Sequence, residues 1–310
     1  MLDVRRLRVL CEVARRGSIV SAAESLSFTP SAVSQQLAKL EREAGVALLD
    51  RGPRSIRLTE AGWALVGHAE AILERLAEAE SELRHLAGEE PTLRVGSITT
   101  AAVSILPEAL RRLAALRPGT EVNVIEADPL VSLARMRARE LDLAVVFEYD
   151  FVPLPVDERV ELEVLVEEEM RVVLPVDHPA ARQRAVPLSD LAGETWIKGT
   201  PRSSCHPFTE RACRAAGFEP RIAFEFDDYA AMQNLVAAGV GVAFAPDMGL
   251  TRLNPGVSVR PIAFGAPRRR VLAAYRAHET TRSPGLVAML EALRGALAER
   301  EPSGALADVS

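Results

Sequence analysis

Within this chain of 310 residues, the stretch from Ser18 to Gly62 leaves the least freedom. Ile19, Ala22, Ala23 and Leu26 recur at helical spacing, the polar turn Ser27-Phe28-Thr29 follows, and Val33, Leu37 and Leu40 form a second apolar stripe. The spacing predicts two short helices that meet across a tight turn. Thr29 can cap the second helix, and Pro30 suits its first position, where a backbone donor has no partner within the helix. With the stripe turned inward, Ser31, Gln35, Ala38 and Arg42 face outward, flanked by Ser34 and Lys39. That face is small, polar and basic, as a helix in a DNA major groove must be. Short side chains permit close approach, Gln can pair with adenine, and Lys or Arg neutralises phosphate. An ordinary surface helix would carry the same residues merely solvated. Leu48-Leu49-Asp50-Arg51, a Gly52-Pro53 turn and Arg54-Ser55-Ile56-Arg57-Leu58 then predict a two-stranded wing. Its arginines, Arg51, Arg54 and Arg57, can follow the nucleic-acid backbone or enter the minor groove.

Taken together, the stretch resembles the winged helix-turn-helix of the LysR-type transcriptional regulators, in which AAxxLxxTxSAVSQQxxxLE precedes a glycine-containing turn, LLxR and RLTEAG. The matching residues are Ala22, Ala23, Leu26, Thr29, Ser31 to Gln36, Leu40, Glu41, Arg51 and Arg57 to Gly62. The resemblance implies that Pro30, Ser31, Ser34, Gln35 and Lys39 contact the groove of double-stranded DNA while Arg51, Arg54 and Arg57 hold its backbone. It also implies a homodimer or homotetramer on a roughly two-fold promoter site. Two departures stand out. Pro30 occupies a position where the family often has Gln, which removes a base contact, and Leu49 replaces a usual Phe under the wing.

A formal charge of −6 suits a DNA reader only once it is divided along the chain. Residues 1 to 60 carry 10 Lys and Arg against 7 Asp and Glu, whereas residues 61 to 90 carry 2 against 7. The basic excess sits on the proposed reader, and phosphate attraction acts within roughly a Debye length. An apolar fraction of 48% supplies real cores, enough for two or three compact units. The N-terminus is broken by charges where a signal peptide would be apolar, so a cytoplasmic location is expected. Three widely spaced cysteines do not resemble a disulfide framework.

Leu7, Leu10, Val13 and Ala14 predict a first helix ending near Gly17, supporting the reader rather than lying on a membrane. From Thr59 to Ala87, a long helix carries Ala69, Ile72, Leu76, Ala79, Leu83 and Leu86 three and four apart. Such an a/d seam predicts either pairing with a partner helix or packing on the chain's own larger domain. Gly88-Glu89-Glu90-Pro91 predicts a hinge. The expected division is therefore 1–59 for the winged helix-turn-helix, 60–90 for the linker and 91–300 for the remainder, with a flexible tail at 301–310.

After Pro91 strands alternate with helices, which implies a mainly parallel sheet covered by helices. Strands are predicted at Leu93 to Gly96, Glu121 to Ile125, Leu141 to Phe147, Leu162 to Val166, Met170 to Leu174, Ile222 to Phe226, Gly241 to Ala245 and Arg270 to Tyr275. The fold class is α/β. The pattern resembles the two-lobed effector-binding domain of the same family, itself similar to periplasmic binding proteins, with lobe I near 91–161 and 266–300 and lobe II near 162–265. A small anionic effector would sit at strand ends and helix starts. Ser97, Thr99 and Thr100 offer hydroxyls and free backbone donors after the first strand, as do Thr200 and Ser203 in the second lobe, where Arg202 could bind a carboxylate with both nitrogens; helix capping or a surface salt bridge would serve equally. Asp128, Phe147, Phe226 and Pro246 end other strands, as cleft walls or as core and caps, and Asp227-Asp228 reads as an N-cap.

Catalytic patterns such as GxSxG, HExxH and the P-loop do not occur, the run Glu167 to Glu169 reads as solvated surface, and no cofactor or catalytic residue is expected. Two rivals remain. Peroxide-sensing members of the family use two cysteines in the second lobe, which would make Cys205 and Cys213 a redox pair; a Cys205/His206/Cys213 metal site or plain buried thiols fit the same residues. A solute-binding sensor without DNA binding is the other.

Overall fold

The structure is a computed structural model and describes residues 1–51, 56–86, 92–156, 158–277 and 283–299, with the side chains of 51, 56 and much of 74–86 outside the description. The wing turn Gly52-Pro53, Arg54, the side chain of Arg51, the expected hinge Gly88 to Pro91 and the tail 301–310 lie outside the described residues. The chain divides into two units, Met1–Glu89 and Glu90–Ser310.

The first unit starts with α1 (Val4–Arg16), capped by the Asp3 carboxylate and ended by Gly17 in the left-handed region at φ 67°. Ser18 caps α2 (Ile19–Ser25), and the Thr29 hydroxyl accepts from the Ala32 amide to open α3 (Pro30–Ala44). Strands β1 (Leu49–Arg51) and β2 (Ile56–Leu58) pair antiparallel, with Asp50 opposite Arg57, and lead into α4 (Glu60–Leu86). Leu7, Leu10 and Val13 of α1 bury against Ala22, Ala23, Val33, Leu37 and Leu40, and the core closes on Leu48, Leu49, Val66 and Ala69. Among the described residues, α4 joins this core through its first turns. Ile72 and Leu76 further along are 44% and 43% exposed, and Leu83 is 66% exposed.

The second unit is built on one nine-stranded sheet. Its elements are β3 (Leu93–Ser97), α5 (Thr99–Ser104), α6 (Leu106–Leu116), β4 (Val122–Glu126), α7 (Pro129–Arg137), β5 (Leu143–Tyr149) and β6 (Val160–Pro175). There follow β7 (Thr195–Lys198), α8 (Phe208–Ala215), β8 (Arg221–Glu225), α9 (Tyr229–Ala237), β9 (Val242–Pro246), β10 (Val257–Pro261), β11 (Arg268–Arg276) and α10 (Pro284–Ala298). The strand order is β4-β3-β5-β11-β6-β9-β7-β8, with β10 also on β6. Two parallel triplets, β4-β3-β5 and β9-β7-β8, form the halves of the sheet. Between them β6 and β11 run antiparallel to their neighbours, so the sheet is mixed rather than mainly parallel.

The two strands predicted at Leu162–Val166 and Met170–Leu174 are one strand of 16 residues. The charges that seemed to separate them are paired across the sheet: Glu167, Glu168 and Glu169 face Arg270, Arg269 and Arg268 in register. Val160 to Glu169 pair with β11, while Met170 to Pro175 pair with β9 and β10, so β6 passes from one half of the sheet to the other at this point. The segment after β3 forms two helices, α5 and α6, rather than one, because Pro107 supplies no backbone donor to a continuous helix and sits instead in the first turn of α6. Each half has its own core, one around Val95, Leu143, Val271 and Met289, the other around Val172, Trp196, Phe208 and Phe244.

Candidate functional site

In the first unit the outward face of α3 is as the spacing predicts. Val33, Leu37 and Leu40 are buried, while Pro30, Ser31, Gln35, Lys39 and Arg42 are exposed and Ser34 and Ala38 half-buried. The acidic side chains of the same helix are directed elsewhere. Glu43 pairs with Arg6 of α1, and the Glu41 carboxylate accepts from the amides of Leu48 (2.9 Å) and Leu49 (3.1 Å), which ties the wing to the helix. Gln36 accepts from Arg6 Nε at 3.2 Å and so belongs to the support. Ser34 donates to the Pro30 carbonyl at 2.9 Å, and Ser31 shares a hydrogen bond with Thr29. Arg57 is exposed on the wing, and Leu49 fills the space beneath it.

The RLTEAG residues hold the wing against α4. Thr59 donates to the Ala47 carbonyl at 2.8 Å and accepts from the Gly62 amide at 3.0 Å. A Cβ at Gly62 would lie 2.2 Å from the Leu48 carbonyl oxygen, so backbone occupies the space any side chain needs.

In the second unit two of the expected anion donors, Thr99 and Thr200, are already engaged by carboxylates of the chain itself. Thr99 Oγ1 donates to Glu126 at 2.8 Å. The Thr200 amide (2.9 Å) and hydroxyl (2.6 Å) both donate to Asp227, so Asp228 alone caps α9. Asp128 caps α7 through the Leu130 amide at 3.0 Å, and also accepts from the Ser204 amide at 2.7 Å and the Ser204 hydroxyl. This joins the start of α7 in one half to the 199–206 loop of the other. Ser97 is buried with its hydroxyl on the Ile98 carbonyl; Ser203 contacts the Cys205 thiol at 3.1 Å; Pro246 is buried in β9; Phe226 and Arg202 are exposed.

Thr100 and Phe147 meet instead around Arg269, which the sequence reading missed. The Arg269 guanidinium is 1% exposed, and its Nε and Nη2 donate to Glu168 Oε1, the former at 2.8 Å. Nη1 reaches Thr100 Oγ1 at 3.3 Å, and the Phe147 ring lies 5.8 Å from the guanidinium carbon. The second oxygen of Glu168 accepts from the Met248 amide at 3.0 Å. Glu168 is only 7% exposed, which corrects its reading as solvated surface. Tyr149 and Tyr229 interact electrostatically with Arg269 beside this pair, and burial holds both phenols above their usual range. Burial would lower the pKa of Arg269, but Glu168 and the tyrosines outweigh it, so the guanidinium is held above its ordinary value.

Cys205 lies in the turn before α8, and Cys213 lies within that helix, fully buried. Burial raises the Cys205 pKa; the Ser203 hydrogen bond opposes this, while Asp227 and Asp128 add to it. Burial, reinforced by Glu219, pushes Cys213 to about 12. A thiol so placed is protonated at neutral pH. Lys198, buried beneath the same loop, bonds to Glu210 at 2.5 Å and lies 3.2 Å from His206 Nε2, whose other ring nitrogen meets the Gly199 carbonyl at 2.9 Å.

Residues 4–63 match the family described as bacterial regulatory helix-turn-helix protein, lysR family, and residues 86–298 match the LysR substrate binding domain. The small neutral protease regulatory protein of Streptomyces lividans is 35% identical over 97% of this chain and 86% of its own length. A full-length OxyR variant from Pseudomonas aeruginosa shares the fold at a TM-score of 0.66 and 23% identity, covering 98% of this chain and 97% of that one. Full-length CbnR in complex with its target DNA shares it at a TM-score of 0.54 and 23% identity, covering 96% of this chain and all of that one (100%).

Proposed function

Because the chain belongs to the LysR family of bacterial regulatory proteins, and is a transcriptional regulator with a DNA-binding helix-turn-helix and an effector-binding domain, we propose how its own residues divide that work. Pro30, Ser31, Ser34, Gln35 and Lys39 contact base edges and groove, and Arg51, Arg54 and Arg57 hold the phosphates. The observation that carries this is the outward face of α3, from which both acidic side chains of its second half are withdrawn onto Arg6 and the wing amides. A helix cleared of acid in this way can approach a polyanion without like-charge repulsion.

The domains are 1–59, 60–90 and 91–300. Ile72, Leu76 and Leu83 form an exposed apolar line along α4, too narrow for a globular core but suited to a second copy of the same helix, so the regulator is a homodimer or homotetramer. It reads a roughly two-fold promoter site in the cytoplasm. No helix among the described residues is long and apolar enough to cross a membrane. A small anionic effector enters between the halves of the sheet, lined by Thr100, Asp128, Phe147 and the loop bearing Thr200 to Ser203, and its binding shifts how two paired readers are held.

The test is a gel shift on the gene's own upstream DNA. Wild type retards it at a competitor concentration where Gln35→Ala with Arg57→Ala does not; equal retardation by both removes α3 and the wing from the interface.

A further inference from the structure

Three consecutive glutamates on β6 face three consecutive arginines on β11, and the alternation of a strand gives the three pairs different surroundings. Arg268 and Arg270 stay toward solvent, pairing with Glu167 and Glu148. Glu168 and Arg269 point into the junction between the two halves, where both are buried. The Glu168 carboxylate is held there by a guanidinium fork on one oxygen and a backbone amide on the other, with the Thr100 hydroxyl on the far side of the guanidinium. Fork and amide, walled by Phe147 and with the Thr100 oxygen accepting from the remaining guanidinium nitrogen, are the donor set a protein presents to a free carboxylate. Here the occupant is tethered to the site by its own strand.

Resting on the effector-binding reading above, we propose that Arg269 and the Met248 amide, with Thr100 holding the guanidinium, are the receptor for the effector's carboxylate, and that Glu168 is a built-in competitor which the effector displaces. The ligand class is a small carboxylic acid in its ionised form. Uncharged analogues are refused, because removing the anion leaves a buried guanidinium unpaired. Displacement acts at the point where β6 leaves β11 for β9 and β10, so it loosens the strands that join the halves. The competitor also sets sensitivity: apparent affinity falls by the fraction of molecules in which Glu168 is off the site.

Beyond its Cβ, the Glu168 side chain has the size and charge of acetate, so Glu168→Ala creates a vacancy that acetate fills. The experiment uses the full chain, with acetate and acetamide as probes, read by melting temperature and calorimetry. Glu168→Ala binds acetate at least tenfold more tightly than wild type, and its melting temperature rises with acetate but not with acetamide. The paired change Glu168→Met with Arg269→Met, which removes both charges, responds to neither. Equal response of Glu168→Ala to acetate and acetamide overturns the proposal, as does an acetate response that survives in the double variant. Should Glu168→Ala not fold unaided, its refolding yield in acetate against chloride reads the same selectivity, and Glu168→Gln, which keeps the shape and drops the charge, binds acetate more tightly than wild type. Equal acetate affinity in Glu168→Gln and wild type counts against it. Retardation of upstream DNA by the same preparations separates the two readings. Retention of DNA binding without acetate selectivity ends the carboxylate exchange alone, whereas acetate selectivity without DNA binding ends the regulator reading and leaves the exchange standing.

Discussion

At the scale of single residues, Gly62 shows how one position carries a motif. Its missing side chain admits the Leu48 carbonyl, and Thr59 beside it ties β2 to the chain before β1. Gly62→Ala therefore forces the wing off α4, costing about 1–3 kcal/mol as overpacking does; the first unit melts earlier, while the second keeps its own transition in calorimetry. Gln35 is exposed on α3, and its proposed role is contact with a base edge. Gln35→Ala relaxes selectivity at one base pair by ~1–3 kcal/mol, whereas Arg57→Ala weakens all duplexes alike and lowers the salt slope by about one. Binding measured across mismatched sites and salt concentrations distinguishes the two. Buried Glu12 on α1 gives a pH prediction. Burial raises its pKa, but Ser25, Arg16 and Arg15 together outweigh that and hold the carboxyl below its usual value. A carboxyl lower in the folded than in the unfolded chain stabilises fully above the unfolded value of 4.5 and loses that contribution as pH falls through the folded one. Glu12→Gln should flatten the acid limb of the melting temperature against pH; an unchanged limb means the contacts of Glu12 contribute nothing to stability.

Elements were legible where local chemistry determines them. Thr29-Pro30 starts α3, Gly17 and Gly45 stop α1 and α3 in left-handed backbone at φ 67° and 71°, and apolar spacing turns the helices the right way. The core of the second site was not legible, because Glu168 and Arg269 lie 101 residues apart, each inside a triplet of like charge that reads as solvated surface. Only the register of β6 on β11 shows which member of each triplet turns inward. The same blindness applies to the 199–206 loop, where Thr200 looked free and is held by Asp227, just beyond the end of β8. That loop also bears on the thiols. Burial pushes Cys11 and Cys213 to about 12, and Cys205 shifts the same way for the same reason. Native protein at neutral pH should therefore alkylate slowly at all three, and peroxide should leave the DNA-binding behaviour of wild type and Cys205→Ser identical. Rapid, selective oxidation of Cys205 would restore the redox reading.

For the whole molecule, the division of charge and of apolar surface gives one account. The basic excess lies within the first 60 residues, and the exposed line of Ile72, Leu76 and Leu83 follows it on α4. Leu76→Glu with Leu83→Glu should yield monomers by light scattering, with DNA affinity falling because each reader then binds alone. Entry of α3 into duplex DNA is read by footprinting of wild-type protein on its own upstream DNA. Two half-sites about one helical turn apart, or a multiple of that, should be protected, with protection lost in Gln35→Ala with Arg57→Ala. Uniform, sequence-independent protection that heparin removes equally from both proteins would contradict that entry.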